Sequence, residues 1–226
     1  MHIGILQTGH AADPVRAVHG DYSDMFERLL DDQDLTFTTW NVVDDQFPDS
    51  VHAAEGWLLT GSRHGAYDDL PFIPKLESFI REAYFDGVPM VGVCFGHQII
   101  AQALGGRVEK FPGGWAVGPH AYEFDGETVA LNAWHQDQVT VAPSEATRVA
   151  SSQFCENAGF VYGDRAFTVQ AHPEFTADVI RGLIDTRGRG TVPDPLLDAA
   201  SEALDKPVAS PVLARKIGRF FRERRV

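Results

Sequence analysis

The sequence predicts an α/β domain with a mostly parallel central sheet flanked by helices and an added antiparallel section. Over the first hundred residues, short β-branched runs alternate with apolar stripes at helical spacing. From about residue 107 that alternation gives way to short strands joined by turns. At 226 residues, 44% hydrophobic and 23% charged, the chain can bury a sizeable core and does not have the composition of a disordered one.

The elements follow in order. "HIGILQ" (2–7), ending at Thr8-Gly9, reads as a first buried strand. Tyr22, Met25, Phe26, Leu29 and Leu30 recur at helical spacing, with Asp21 as the cap. "LTFTTW" (35–40) and "GWLLTG" (56–61) are the second and third strands. Ile73, Leu76, Phe79, Ile80 and Ala83 mark a helix with Pro71 and Pro74 near its start. "VPMVGV" (88–93) is the fourth strand, and Ile99, Ile100, Ala103 and Leu104 form the apolar side of the next helix.

"RVEKF", "AYEF", "TVALNAW", "QVTVA" and "RAFTVQAH" then supply the antiparallel strands. "TADVIRGLI" returns to helix, and residues 188–195 read as a loop rich in Gly and Pro. Leu213, Ile217, Phe220 and Phe221 mark a final helix with Ser210-Pro211 as cap and first turn. Its six basic residues from Arg215 to Arg225 read as an exposed face suited to a helix C-terminus.

A net charge of −13 argues against nucleic acid as a partner, because phosphate binding relies on basic patches. The ten acids between residues 13 and 49 read as a solvated face. Two cysteines, Cys94 and Cys155, cannot build a disulfide framework, which fits a reducing compartment. Residues 87–106 carry no formal charge, but five glycines, a proline, His97, Gln98 and Gln102 argue against a membrane span. With no signal-like start in "MHIGILQTG", the expectation is a soluble cytoplasmic protein.

The chemistry centres on "VPMVGVCFGHQII" (88–100). Ligands of parallel α/β sheets gather outside the carboxyl ends of the strands, and Cys94 is placed there, directly before a helix. A sharp strand-to-helix turn needs small neighbours, and Gly92 and Gly96 flank the cysteine two residues away on either side. The helix N-terminus favours a thiolate there, and the Phe95 amide is placed to meet an oxyanion. Cys155, in "SSQFCENAG", has no such setting and reads as structural.

A thiolate nucleophile gains from a histidine base oriented by a carboxylate. "FTVQAHPEF" supplies both: a strand from Phe167 to Ala171, then His172, Pro173 and Glu174, with His172 and Glu174 two apart on one face. A third strand end, "LLTGSRHG", offers the Gly61 and Ser62 amides to complete an oxyanion hole.

Together these stretches resemble the class I, triad-type glutamine amidotransferases. "GVCFGHQIIAQALGGRVEK" matches the family's Cys-x-Gly-x-Gln block, "AHPEF" its His-Pro-Glu block, and "AWHQDQV" (133–139) the block whose backbone holds glutamine. The likeness runs from about residue 2 to 184 and implies a flavodoxin-like amidotransferase fold. We read residues 1–187 as that domain and 188–226 as a C-terminal helical extension.

The resemblance implies Cys94 as nucleophile, His172 as general base then acid, and Glu174 as the orienting carboxylate. Gln98 and the backbone near His135 and Gln136 would contact the glutamyl group. It implies a thioester route to cleavage of a γ-glutamyl amide, with no metal or organic cofactor. Where many members have Ser-x-Gly-Pro, this chain has Thr60-Gly61-Ser62-Arg63. The stretch "TGSRHGAYDDLPFI" looks closer to the stand-alone branch similar to GMP synthetase amidotransferase domains and γ-glutamyl peptidases.

His97 reads as a packing residue, because adjacent residues at an elbow diverge, and His135 as a hydrogen-bonding one. No pair among the nine histidines has metal-ligand spacing. The expected partners are a small γ-glutamyl substrate and, where ammonia is donated, a separate synthetase that receives it. A non-catalytic regulatory protein on the same fold is the alternative class, disfavoured by the intact Cys94, His172 and Glu174 set.

Overall fold

The computed structural model describes residues 1–226. Strand β1 (His2–Leu6) leads through α1 (Asp13–His19) and α2 (Tyr22–Leu29) to β2 (Thr36–Trp40). The strand-then-helix pattern continues with β3 (Gly56–Leu59), α3 (Phe72–Phe85), β4 (Met90–Val93) and α4 (Phe95–Ala103). Six strands follow without a helix: β5 (Arg107–Lys110), β6 (Ala116–Phe124), β7 (Glu127–His135), β8 (Asp137–Val141), β9 (Thr147–Ser151) and β10 (Gly159–Tyr162). β11 (Ala166–Val169) then pairs parallel with β4. Helix α5 (Ala177–Leu183), a π-turn over Ile184–Gly188, α6 (Asp194–Ala203) and α7 (Ser210–Glu223) come after it.

Nine strands form one sheet in the order β2-β1-β3-β4-β11-β10-β9-β6-β7. The first five are mutually parallel, and each pairing from β11 to β7 is antiparallel. Because successive strand residues face opposite ways, the core splits into two layers. Trp57, Leu59 and Met90 pack with Leu76, Ile80, Ile99 and Ile100 of α3 and α4. Leu58, Val91, Val93 and Phe167 pack on the other face with Phe26 of α2 and with Leu213, Ile217, Phe220 and Phe221 of α7. The apolar stripe of α7 is therefore part of the sheet's own core.

Local chemistry explains the boundaries. Asp21 caps α2 in a reciprocal box with Asp24. The β6–β7 hairpin turns through Asp125-Gly126, both at positive φ, as a two-residue primed turn requires.

Several details differ from the sequence reading. β9 and β10 were not among its strands, and β11, which it grouped with the antiparallel strands, is parallel to β4 and antiparallel only to β10. β5 and β8 pair with each other instead of joining the large sheet, because Val108 and Val139 pack into the α3–α4 layer beside α4. α7 begins at Ser210 but is capped by Ala209, with no side-chain cap. The Ala209 amide donates instead to the Ala130 carbonyl at 2.7 Å. Helices α1 and α6 have no counterpart in the reading, since their buried residues are only Val15 in one and Leu197 and Ala200 in the other. No helix is long and apolar enough to cross a membrane.

Candidate active site

β4 ends at Val93, and the next residue, Cys94, is the N-cap of α4 with φ 53° and ψ −104°. A non-glycine residue in that region of backbone space is strained, and the surroundings must hold it there. They do so through both neighbouring strands. Cys94 N–H donates to the Val169 carbonyl (2.9 Å) and Gly96 N–H to the Thr60 carbonyl (3.1 Å), while Gln98 N–H donates to the Cys94 carbonyl (3.0 Å).

The flanking glycines are sterically required. A Cβ on Gly96 would lie 2.3 Å from the Leu59 carbonyl oxygen, and one on Gly92 would lie 2.5 Å from that of Gly96. The small neighbours inferred from sequence thus let helix and strand approach this closely.

His172 reaches the same place by a different route from the one the sequence suggests. The strand stops at Val169, since its parallel partner β4 turns away at Cys94. Gln170 N–H still bonds the Ala158 carbonyl (2.8 Å), and the chain then crosses to β7, where His172 N–H donates to the Asn132 carbonyl (2.8 Å). The Asn132 side-chain amide donates to the Phe175 carbonyl (2.8 Å). A β7 residue thereby pins both ends of the His-Pro-Glu-Phe turn.

Within that turn His172 Nδ1 lies 2.7 Å from Glu174 Oε1, with both side chains buried. The other Glu174 oxygen is buried without a partner, so the carboxylate is committed to the imidazole. The Phe175 ring stacks on the imidazole at 4.0 Å and 4°. Gly61 completes the contact: a Cβ there would be 2.9 Å from His172 Cε1 and 3.7 Å from Cys94 Cβ. Three segments, following β3, β4 and β11, therefore converge.

The electrostatics set His172 apart. Burial disfavours its charged form, but the charges of Cys94 and Glu174 and the hydrogen bond to Glu174 outweigh burial, raising its pKa to about 10. With Nδ1 on Glu174, Nε2 is left for the sulfur. His135, also buried, is pushed down to about 3, chiefly by desolvation with a further contribution from His172. Its Nδ1 lies 3.2 Å from the Asp137 carbonyl and its Nε2 has no partner.

A cavity of about 620 Å³ opens over these groups, lined by Cys94, His172, Gln98, His135 and Gln136 together with Ser62 and the loop after it. The backbone amides of Gly61, Ser62 and Phe95 have no acceptor within the protein. Gln98 spends its amide protons on the Asp137 carbonyl (2.9 Å) and Gln170 Oε1 (3.0 Å). Gln136 holds the Phe111 carbonyl only loosely, at 3.5 Å.

Sequence reading missed Tyr22, Asn132, Phe175 and Arg187 as parts of the site. Arg187 projects from the π-turn into the cavity and donates to the His10 carbonyl (2.9 Å) and the Tyr22 hydroxyl (3.3 Å). Phe175 was within reach, since it directly follows the His-Pro-Glu triplet; no local signal marks Arg187.

Comparison with known proteins places the chain in a family. The family model described as glutamine amidotransferase class-I matches residues 18–181. The chain is 29% identical to gamma-glutamyl peptidase 4 of Arabidopsis thaliana, over 92% of this chain and 90% of that protein. It is 33% identical to a subunit of the glutamine-hydrolysing GMP synthase of Halobacterium salinarum, over 69% of this chain and 85% of that protein. The crystal structure of a glutamine amidotransferase from Methylobacillus flagellatus has the same fold, with a TM-score of 0.76 at 22% identity, covering 99% of this chain and 92% of that one.

Proposed function

The chain belongs to the class-I glutamine amidotransferase family, and we propose that it cleaves a γ-glutamyl amide through a thioester on Cys94. One observation supports this above the others. A cysteine held at positive φ on a strand-to-helix elbow shares a cavity with a buried imidazole, itself held by a carboxylate at 2.7 Å.

In this mechanism the Cys94 thiolate adds to the γ-carbonyl carbon, and the electron pair of the C=O bond moves onto oxygen. The free amides of Phe95, Gly61 and Ser62 are the donors available to that oxyanion. His172 transfers its proton to the amide nitrogen, the C–N bond breaks, and ammonia or an amine departs. The glutamyl group is left as a thioester. His172, now neutral, takes a proton from water as the water attacks that carbonyl, and glutamate leaves as the thiolate is regenerated. Glu174 fixes the ring orientation and tautomer throughout. Gln98, His135 and Gln136 face the cavity where the glutamyl backbone would bind, and the side-chain oxygen of Gln98 has no protein partner to compete.

Incubation with glutamine and a set of γ-glutamyl amides, with glutamate release as readout, tests the proposal. Release in the wild type and none in Cys94→Ala is the expected outcome; equal release from both would end the nucleophile assignment. The likeness to the GMP synthase subunit favours a second reading, in which the ammonia is delivered to a separate synthetase. Glutamine turnover that rises only when such a partner is added would select it.

A further inference from the structure

We infer that His10, clamped between two carboxylates, is a positioning residue for the oxyanion donors Gly61 and Ser62, and that losing its charge slows turnover. This rests on the γ-glutamyl cleavage proposed above and adds a pH response of that same site.

The clamp is the first argument. His10 Nδ1 lies 2.6 Å from Asp21 Oδ2, and Nε2 lies 2.9 Å from Asp44 Oδ2. A neutral imidazole has one N–H, so only the charged ring can donate to both carboxylates. Partial burial opposes that charge, but the hydrogen bonds to Asp21 and Asp44 and their charges prevail, raising the pKa above 6.5. Three further groups face the cluster. Gln7 Nε2 is 3.2 Å from His10 Nδ1, Arg16 of α1 is 3.9 Å from Asp21 Oδ2, and Arg187 donates to the His10 carbonyl. Asp21 is held in place, since its other oxygen accepts from the Ala11 and Tyr22 amides at 2.8 and 2.9 Å. Asp44 ends the short turn Val42–Asp44 and is half exposed, so its contact gives way when the ring becomes neutral.

What the clamp holds is the second. His10 closes the segment Thr8-Gly9-His10, which leaves β1 and packs against the loop after β3. Thr8 N–H donates to the Thr60 hydroxyl at 3.1 Å, and Thr8 Oγ1 lies 3.0 Å from the Gly61 carbonyl oxygen. Ser62 Oγ donates to the Thr8 carbonyl at 2.7 Å. A Cβ on Gly9 would lie 2.8 Å from Ser62 Oγ and 3.0 Å from Ser62 Cα, so the two loops touch directly. A shift of the 8–10 segment is therefore passed to the Gly61 and Ser62 amides. Such donors act on charge that develops in the transition state, so their displacement lowers kcat more than it changes KM.

Titration is the third. The clamp is complete below pH 6.5 and is lost as pH rises through the raised pKa of His10. Of the imidazoles that line the cavity, His64 and His135 titrate below 6.5 and His172 at about 10. The interval between belongs to His10.

The test measures glutamate release from a γ-glutamyl amide at saturating substrate, from pH 6.5 toward about 10. Wild-type kcat should step down by about tenfold, less than the ~10²–10³-fold cost of deleting an oxyanion donor, with KM changed by about twofold at most. His10→Gln should have the lower kcat throughout, without the step. Asp44→Asn, at an exposed position, removes one of the two anions and should move the step to lower pH. No step in the wild type, a step that persists in His10→Gln, or one that Asp44→Asn leaves in place overturns the role of His10 while γ-glutamyl cleavage stands. A change in KM alone, or a lower Tm in His10→Gln with kcat and pH profile intact, also overturns it. No glutamate release by the wild type at any pH overturns the underlying reaction as well.

Discussion

Two buried imidazoles flank the cysteine elbow, and their settings have opposite consequences. Beneath it, His97 of α4 stacks on Phe160 at 5.2 Å. Its Nε2 is 3.0 Å from the Asn157 carbonyl, so this nitrogen carries the proton and donates. Its Nδ1 accepts from the Thr168 hydroxyl at 2.8 Å. Above the elbow, His172 stacks on Phe175 and faces Glu174 and Cys94. Both rings are buried against a phenyl group, yet burial drives His97 down to about 4 while His172 is raised to about 10. Burial alone therefore does not decide the charge of an imidazole; an anion buried with it does. The neutral ring is a structural cross-link, and the charged one is equipped to move a proton.

Removing the anions breaks that contrast. Cys94→Ala should lower γ-glutamyl turnover by about 10⁴-fold or more, because nucleophile and base act as a unit. It should also bring the His172 titration, followed by NMR of its imidazole, down from about 10, while His97 stays near 4. An unmoved His172 would refute the thiolate as a source of its charge. Glu174→Gln is next in size, lowering kcat by about 10²–10⁴-fold through loss of tautomer and orientation.

The same contrast predicts two limbs in the pH dependence of stability. The folded-state pKa of His172 is raised above 6.5, so its stabilisation is complete below that value and is lost as pH rises through about 10. The folded-state pKa of His97 is lowered, so its stabilisation is present above 6.5 and is lost as pH falls through about 4. Thermal unfolding across pH checks both, and Cys94→Ala should shift only the alkaline limb, toward lower pH.

The distinction between the two histidines was partly legible in the sequence. Glycine on both sides of Cys94 implies an elbow, where His97 diverges from its neighbour, and the two-residue spacing of His172 and Glu174 implies a shared face. What supports each ring was not legible. Asn132 holds the His172 turn from 40 residues away, and Thr168 lies 71 residues from His97. Such contacts depend on the order of strands in the sheet, which no local pattern encodes. The same holds for β5 and β8, whose alternation marks them as strands without naming the sheet they join. Helix α6 escaped for a different reason: its buried stripe is short, Leu197, Ala200 and the C-cap Leu204, and it follows directly on a stretch rich in Gly and Pro that reads as loop.

Smaller effects sharpen the comparison from the structural side. His97→Leu should leave the Thr168 hydroxyl and the Asn157 carbonyl unpaired in the interior, at about 1–3 kcal/mol. For a domain of this size that is a Tm lower by about 2–4 °C per kcal/mol, with a much smaller change in kcat than Glu174→Gln. The two cysteines supply the mildest test. Cys155 is fully buried in the layer facing α2 and α7, and desolvation pushes its thiol up to about 12, so it should resist alkylation at neutral pH while Cys94 reacts. Cys155→Ala should cost only about 1 kcal/mol of packing and leave glutamate release at the wild-type rate. A fall in that rate would mean that the interior beneath the elbow contributes to the chemistry, and the division between structural and reactive halves would have to be redrawn.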